Sequence, residues 1–252
     1  MTEFTCSFAG INVGIRALFP ATKEFCRDYL TDGDAAFMVE TAPEDIAYER
    51  VTSDQTAISE GRKPYPFPDE YLETLAVYRK LASGLSAYDT ILFHGSVIAV
   101  DDEAYLFTAP SGTGKSTHAR LWRELFGARA FMVNDDKPLL KISDSGVLAY
   151  GTPWDGKHRL SRNVSIPLKA ICLLERGTEN EIAPCTPSEI YPNLLGQTYR
   201  PKEPETMIRV LHLVDRLVQG VSLYRLRCNM DPDAARVSYE GMSGRSAAEG
   251  ER

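Results

Sequence analysis

A glycine-rich loop between an apolar strand and a helix constrains this chain more than any other feature. The loop is Ala109-Pro110-Ser111-Gly112-Thr113-Gly114-Lys115-Ser116-Thr117. It follows the apolar run 104–107 and leads into the segment 117–126, whose pattern predicts a helix that ends at Gly127. A strand, a glycine-rich loop and a helix in that order form the context that a phosphate-binding loop requires.

Each part of this loop has its own chemical reason. Gly112 and Gly114 allow the backbone to curl so that successive N–H groups point at phosphate oxygens, and the helix N-terminus adds a partial positive charge. Lys115 can reach the terminal phosphates, and the Ser116 hydroxyl can ligate the accompanying magnesium ion. The alternative is a surface turn that happens to precede a helix. The predicted nucleotide-binding residues are Ser111, Gly112, Thr113, Gly114, Lys115, Ser116 and Thr117.

Composition narrows the classes of partner. The net charge of −7 provides no general basic field, so we expect neither nucleic acid nor an anionic membrane surface as a partner. The five cysteines are scattered and show no C-x-x-C spacing, which argues against a disulfide framework or a zinc site. No signal-peptide layout and no bilayer-length apolar run is visible, so we expect a cytoplasmic protein.

The chain divides into a small N-terminal α+β subdomain (1–88), a nucleotide-binding domain (89–242) and a disordered tail (243–252). In the subdomain, short apolar runs up to residue 40 predict small strands. A helix that starts well but is broken is expected over 44–57. An extended segment follows, because Pro64, Pro66 and Pro68 alternate with other residues.

In the second domain, the apolar runs 91–100 and 104–107 predict a β-hairpin whose second strand delivers the loop. An antiparallel neighbour is not what a doubly wound parallel sheet offers, so the expected fold class is α/β with a mixed β-sheet flanked by helices. Two helices are expected in the last third of the chain, over 204–220 and 231–239. Further strands are predicted at 130–133, 139–142, 147–150, 168–174 and 221–228.

The acidic pair Asp135-Asp136 follows the apolar strand 130–133. A strand that ends in Asp downstream of a phosphate loop commonly supplies a magnesium ligand, and an adjacent carboxylate can accept the proton of an attacking hydroxyl. We therefore predict Ser116 and Asp135 as metal ligands and both aspartates as catalytic residues, without deciding which is the base. A turn with solvated acids is the alternative, because Asp-Asp-Lys-Pro also suits a turn.

The segment 151–163 gathers cations in an acidic protein. Lys157, Arg159 or Arg162 could neutralise charge on a transferring phosphoryl group. The alternative is a basic surface loop with Trp154 as a packing anchor. The histidines at 94, 118 and 158 are left undecided by their residue type, and His212 is predicted to be structural.

Together these motifs resemble the catalytic domain of HPr kinase/phosphorylase. His94-Gly95-Ser96, the hairpin, the loop 111–116 and Val133-Asn134-Asp135-Asp136 follow one another in the order found in that family. ATP-dependent phosphoenolpyruvate carboxykinases share its nucleotide-binding core. The resemblance covers about residues 90–240, and chains of this layout look like bacterial relatives of HPr kinase.

The resemblance implies a P-loop kinase fold, ATP with magnesium, and phosphoryl transfer to a hydroxyl. The family places the histidine matching His94 at the active site, and its aspartates matching Asp135 and Asp136 divide between metal binding and proton abstraction. Lys157 falls near where HPr kinases carry a catalytic arginine. Ala109 replaces the first glycine of the loop, and Thr117 stands where HPr kinases carry an acidic metal ligand.

The function predicted from these observations is an ATP- and Mg-dependent kinase that acts on a hydroxyl of a small molecule or peptide. One alternative is a nucleotide-binding regulatory or accessory protein that performs no transfer. Another is a carboxykinase-like lyase, and a reverse phosphorylase activity also stays open. Self-association is compatible with the resemblance to HPr kinase.

Overall fold

The structure of the protein is a computed structural model that describes residues 1–59 and 61–248. The chain forms two compact units, Met1–Tyr88 and a second unit that begins at Asp89. None of the helices in the described ranges is long and apolar enough to cross a membrane.

In its described residues, the first unit carries a three-stranded sheet and three α-helices. Strand β2 (Ile11–Ala17) pairs antiparallel with β1 (Thr2–Phe8) and parallel with β3 (Phe37–Glu40), so it lies at the centre of the sheet. The expected break in the 44–57 helix is wrong, because this helix is continuous to Ser59. The elements are β1 (Thr2–Phe8), β2 (Ile11–Ala17), α1 (Pro20–Phe25), β3 (Phe37–Glu40), α2 (Pro43–Ser59) and α3 (Asp69–Leu85).

A buried carboxylate organises this unit. Glu73 of α3 is fully buried and accepts hydrogen bonds from the backbone N–H groups of Leu18 (2.6 Å) and Phe19 (3.0 Å), which join β2 to α1. It also accepts from the hydroxyls of Thr22 (2.5 Å) and Thr41 (2.6 Å). A buried charge is tolerated when it is fully hydrogen-bonded. The four donors therefore hold α3 to the connection between β2 and α1 and to the connection between β3 and α2.

We expect Glu73→Gln to destabilise the N-terminal unit by about 3 kcal/mol, because one carboxamide oxygen cannot serve four donors and its NH₂ group would face N–H and O–H donors. Urea denaturation followed by circular dichroism measures the loss. Glu70→Gln, an exposed position on the same helix, is the matched control and should stay close to the wild type. Equal stability of the two variants would contradict the role of Glu73.

The second unit contains nine strands and four helices in its described residues. The strands are β4 (Thr90–Leu92), β5 (Ser96–Val100), β6 (Glu103–Thr108), β7 (Ala130–Asn134), β8 (Leu139–Ser143), β9 (Gly146–Tyr150), β10 (Ser165–Arg176), β11 (Glu181–Pro184) and β12 (Ser222–Cys228). The helices are α4 (Lys115–Phe126), α5 (Pro187–Gln197), α6 (Pro204–Gly220) and α7 (Asp233–Ser243).

These strands form one mixed, curled sheet in which β10 is the branch point. The main path runs β4-β8-β9-β10-β6-β5-β7, and β12 pairs with both β10 and β11. Strand β10 is antiparallel to β9 near its start and parallel to β6 and β12 further along. The predicted hairpin is confirmed, since β5 pairs antiparallel with β6. The predicted α/β class with a mixed sheet is therefore confirmed.

Helices cover both faces of the sheet. Since side chains alternate along each strand, one strand packs against the helices on both faces. Val97 and Ala99 of β5 pack in one core cluster with residues of α5 and α6. Ile98 and Val100 of the same strand pack in the other, with residues of α4 and α7. A strand buried on both faces reads as a continuous apolar run, as 96–100 does.

The prediction of two helices in the last third is wrong, because α5 is a third. A capping box marks its start: Glu189 accepts from the backbone N–H of Thr186 at 2.7 Å. Disorder was predicted from residue 243, yet α7 ends at Ser243, and Arg245 Nη1 lies 3.1 Å from Glu103 Oε2. Residues 249–252 of that tail lie outside the described residues.

Candidate functional site

The strand directions bring three separate sequence motifs to one edge of the sheet. Because β5 is antiparallel to both β6 and β7, the start of β5 lies beside the ends of β6 and β7. The glycine-rich loop (residues 109–114) follows β6, the acidic pair 135–136 directly follows the end of β7, and His94 lies just before the start of β5. Ligands of open α/β sheets bind at the carboxyl ends of strands. This edge is therefore the candidate site.

The glycine-rich loop has the backbone that its glycines were expected to allow. Gly112 has φ of 76° and Gly114 has φ of 126°, and both are conformations that residues with a side chain rarely adopt. Ala109 is fully buried and is not among the residues described with positive φ, so its Cβ is tolerated where the motif usually has glycine. The loop leads directly into α4, whose first-turn N–H groups lack partners within the helix.

Two cations fasten the loop. Lys115 Nζ donates to the carbonyl of Ala109 at 2.9 Å, and Arg176, the last residue of β10, donates to the carbonyl of Gly112 at 2.7 Å. Burial lowers the pKa of Lys115, and the nearby charge of Asp136 opposes that shift more strongly than Asp135 does. The charges of both carboxylates therefore act on the Lys115 ammonium, which has further donors besides the one on Ala109.

Asn134 shapes the acidic turn. Its fully buried side chain donates to the hydroxyl of Thr152 at 3.0 Å and to the carbonyl of Thr152 at 3.2 Å. Its side-chain oxygen accepts from the backbone N–H groups of Asp136 (2.9 Å) and Lys137 (2.6 Å). One amide thus fixes the direction of the chain at the acidic pair and ties it to the segment after β9.

The two aspartates have different partners. Asp135 Oδ1 accepts from Ser96 Oγ at 2.6 Å, and a Cβ on Gly156 would come within 2.9 Å of Asp135 Oδ2. Asp136 Oδ1 lies 3.3 Å from His94 Nε2 and 3.7 Å from Lys137 Nζ. Asp135 is therefore enclosed by the start of β5 and the loop after β9, whereas Asp136 lies beside the His94 imidazole and the Lys137 ammonium.

A cavity of about 340 Å³, here called the aspartate-side cavity, lies between α4 and this turn. Ser116, Thr117, Arg123 and Asp135 are among its lining residues, and His158 closes it from the 151–163 loop. The cavity joins a candidate metal-binding hydroxyl to a candidate metal-binding carboxylate, which is the oxygen donor set that Mg²⁺ prefers. Within residues 1–59 and 61–248, no cluster of three or more His, Cys, Asp or Glu side chains forms a metal site by itself.

The three cations predicted from the segment 151–163 are not among the residues that line the aspartate-side cavity. Lys157 is exposed and does not line the aspartate-side cavity. Arg159 lies 3.4 Å from Asp155, and the Arg162 guanidinium lies over the Phe131 ring at 4.6 Å. Trp154 is buried, as the packing-anchor alternative expects. The catalytic role of Lys157 stays a prediction.

His118 belongs to the core rather than to the acidic turn. It is 3% exposed, stacks edge-on against Phe107, and its Nε2 lies 3.0 Å from Ser238 Oγ. Trp122 Nε1 donates to the same hydroxyl at 2.8 Å. Burial lowers the pKa of His118 to about 4, so the imidazole is neutral at physiological pH.

Several contributing residues have no distinctive sequence signal. Ser96, Asn134 and Arg176 act through contacts between segments that are distant in the chain. Arg123 of α4 lines the aspartate-side cavity, and its buried Nε has no hydrogen-bond partner in the described structure. Arg123 lies in the last turn of α4, far along the helix from Lys115, so its position in the sequence did not indicate the cavity.

The fold and the site together define an α/β protein with a curled mixed sheet, helices on both faces, and a glycine-rich loop between a strand and a helix. No protein-family model matches the sequence, and no curated protein matches it either. Among solved structures, the chain is similar to the Hpr(Ser) kinase/phosphatase from Coxiella burnetii, with a TM-score of 0.28 and 14% identity. That similarity covers 51% of this chain and 88% of the other. It is too low for any residue role to be carried over.

We expect Asn134→Ala to lower the free energy of unfolding by about 2–3 kcal/mol, because two N–H groups and the Thr152 acceptors lose a buried partner. Urea denaturation measures the change. Asn163→Ala, an exposed asparagine of the neighbouring loop, serves as the control, and a cost as small as that of the control would contradict the role of Asn134.

We also expect His118 to make stability depend on pH. Its pKa in the folded state is about 4, below the value near 6.5 of an unfolded chain. The unfolded state therefore binds the proton first as the pH falls, and stability should decrease by about 3 kcal/mol between pH 6.5 and pH 4. Denaturation across this range should show that His118→Leu lacks this part of the decrease. If the variant follows the wild-type curve, the assignment fails.

Proposed function

We propose that the second unit is a kinase that binds a nucleoside triphosphate with Mg²⁺ and transfers its terminal phosphoryl group to a hydroxyl. The observation that carries the proposal is the meeting of the left-handed glycine loop, Lys115 and the pair Asp135-Asp136 at one sheet edge. An isolated glycine-rich turn would not need two carboxylates beside its lysine.

The phosphate chain is held by the loop and the first turn of α4. Backbone N–H groups at a helix N-terminus bind anions, and the residues 111–117 supply them here. Lys115 adds a positive charge whose neighbours are the two carboxylates. A bound triphosphate offers this ammonium more negative charge than the single carbonyl of Ala109, so we expect Lys115 to turn to the β- and γ-phosphates.

Ser116 and Asp135 are the proposed metal ligands, because both line the aspartate-side cavity. Magnesium would supply charge neutralisation at the β- and γ-phosphate oxygens. Ser96 and Gly156 support this role: the hydroxyl of Ser96 fixes one oxygen of Asp135, and the missing side chain of Gly156 leaves room for the other.

Asp136 is the proposed general base. Its charge raises the pKa of Lys115 more strongly than that of Asp135 does, which supports a position for Asp136 beside the lysine that would bind the terminal phosphates. In the transfer, the acceptor oxygen forms a bond to the γ-phosphorus, the bond from that phosphorus to the β-bridging oxygen breaks, and the acceptor proton passes to Asp136. His94, at 3.3 Å, orients this carboxylate. Lys157, next to the cavity residue His158, is the candidate for stabilising the transferred charge.

The acceptor is proposed to be a small molecule or peptide that enters the aspartate-side cavity beside Asp135 and extends its hydroxyl to the adjacent Asp136. Its volume of about 340 Å³ accommodates a side-chain-sized group. Arg120 and Arg123, on successive turns of α4, give this cavity a positive wall, whereas the chain as a whole is acidic.

We expect Lys115→Ala to abolish phosphoryl transfer, and Asp136→Asn to slow it by about 10²–10⁴-fold, the usual contribution of a general base. Cell extract incubated with the protein, Mg²⁺ and γ-labelled ATP, followed by mass spectrometry, identifies labelled products. Lys63→Ala, an exposed lysine of the first unit, is the control. ATP binding without a labelled product in any extract would instead indicate a regulatory nucleotide-binding protein.

A further inference from the structure

A second cavity lies on the other flank of the glycine-rich loop. It has a volume of about 560 Å³ and is here called the loop-side cavity. Thr117 lines both cavities, so the start of α4 separates them. The proposed function places the γ-phosphate towards Ser116 and Asp135. A triphosphate is a linear chain, so its other end leaves the loop on the opposite flank, at the loop-side cavity.

The walls of this cavity suit a flat, mostly apolar group. Leu121 of α4, Leu174 of β10 and Cys228 of β12 line it, and both leucines are buried in the core. Met230, with 79% of its surface exposed, and Arg176 also line the cavity. Ligand cavities of this size are typically apolar with few polar groups, and a thioether and a guanidinium both pack well on aromatic rings.

One buried polar atom on the cavity wall lacks a partner. His118 lines the cavity and is 3% exposed, and its Nδ1 has no hydrogen-bond partner within the described part of the chain. Buried polar atoms in proteins are nearly always paired, so each exception needs an explanation.

The hydrogen bonds of Ser238 define what Nδ1 can do. The Ser238 hydroxyl receives the indole N–H of Trp122 and lies 3.0 Å from the carbonyl of Ala235, to which it donates its single hydrogen. His118 Nε2, also 3.0 Å from this hydroxyl, is the donor in the tautomer that leaves Trp122, Ser238 and His118 Nε2 all paired. In the neutral imidazole the other nitrogen carries a lone pair, so Nδ1 is an acceptor that needs an N–H or O–H donor.

We propose that the loop-side cavity binds the nucleoside of the nucleotide and that a donor group of this nucleoside pairs with His118 Nδ1. This inference rests on the proposed function, because it takes the phosphate chain to lie on the loop. The donor is either an amino group of the base or a hydroxyl of the ribose, both of which are hydrogen-bond donors at the edge of a largely apolar body. The loop thus holds the phosphates, and the cavity selects what they are attached to.

Titration calorimetry with Mg²⁺ and a set of triphosphates tests the proposal on the wild-type protein. We expect ATP to bind at least about tenfold more tightly than inorganic triphosphate, since each 1.4 kcal/mol corresponds to a factor of ten. Purine riboside triphosphate lacks the amino group, and 2′-deoxy-ATP and 3′-deoxy-ATP each lack one hydroxyl. Loss of affinity with one of these analogues identifies the donor that reaches His118.

His118→Leu removes the acceptor and leaves Ser238 with its partners Trp122 and Ala235. We expect this variant to bind ATP about tenfold more weakly while its affinity for inorganic triphosphate is unchanged. It should also lose the discrimination against the analogue identified above. His212→Leu, an exposed histidine of α6, is the matched control and should bind as the wild type does.

The outcomes separate this inference from the proposed function. Equal binding of ATP and inorganic triphosphate would overturn the nucleoside site while leaving the phosphate loop intact. Equal binding of ATP and all three analogues would overturn the pairing with His118. Absence of binding for every triphosphate, in the wild type as in Lys115→Ala, would overturn the proposed function and with it this inference. If His118→Leu does not fold, the analogue series on the wild type still decides.

Discussion

The candidate site depends on one constraint, the antiparallel position of β5 between β6 and β7. Reversing a single strand brings the beginning of β5 to the edge at which β6 and β7 end. His94–Ser96 thereby meets Asp135 and Asp136, although about 40 residues separate them in the chain. The parallel strands β10 and β12 end at the same edge, and they supply Arg176 and the wall of the loop-side cavity.

Local polar groups then convert this meeting of strand ends into defined geometry. Asn134 holds the acidic turn, Ser96 holds Asp135, and Arg176 holds the loop through the carbonyl of Gly112. Asn134 acts as an acceptor for backbone N–H groups, Ser96 and Arg176 act as donors to oxygens, and each of the three comes from a different strand. A site built on strand ends in this way is more rigid than one carried by loops alone.

Much of the fold followed from the sequence, because its strongest signals are local. The hairpin of β5 and β6, the loop and the helix α4 depend on apolar runs, glycines and turn residues within about 35 positions of one another. The helix α5 was missed because Pro192 and Gly196 lie within it and weaken its periodicity, although its capping box was visible. The broken helix expected at 44–57 is continuous, and in the N-terminal unit packing against α3 overrides its weak amphipathic pattern.

Only those residues of the candidate site that belong to a sequence motif could be predicted from the sequence. Gly112, Gly114 and the acidic pair carry their chemistry in the residue type and spacing, whereas the importance of Ser96 depends on a strand register that no periodicity encodes. His118 shows the limit most clearly. Its tautomer is assigned from the contacts of Ser238 with Trp122 and with the carbonyl of Ala235, and Trp122 and Ser238 lie more than 100 residues apart in the chain. Only the packed structure shows that this histidine has an acceptor left for a ligand.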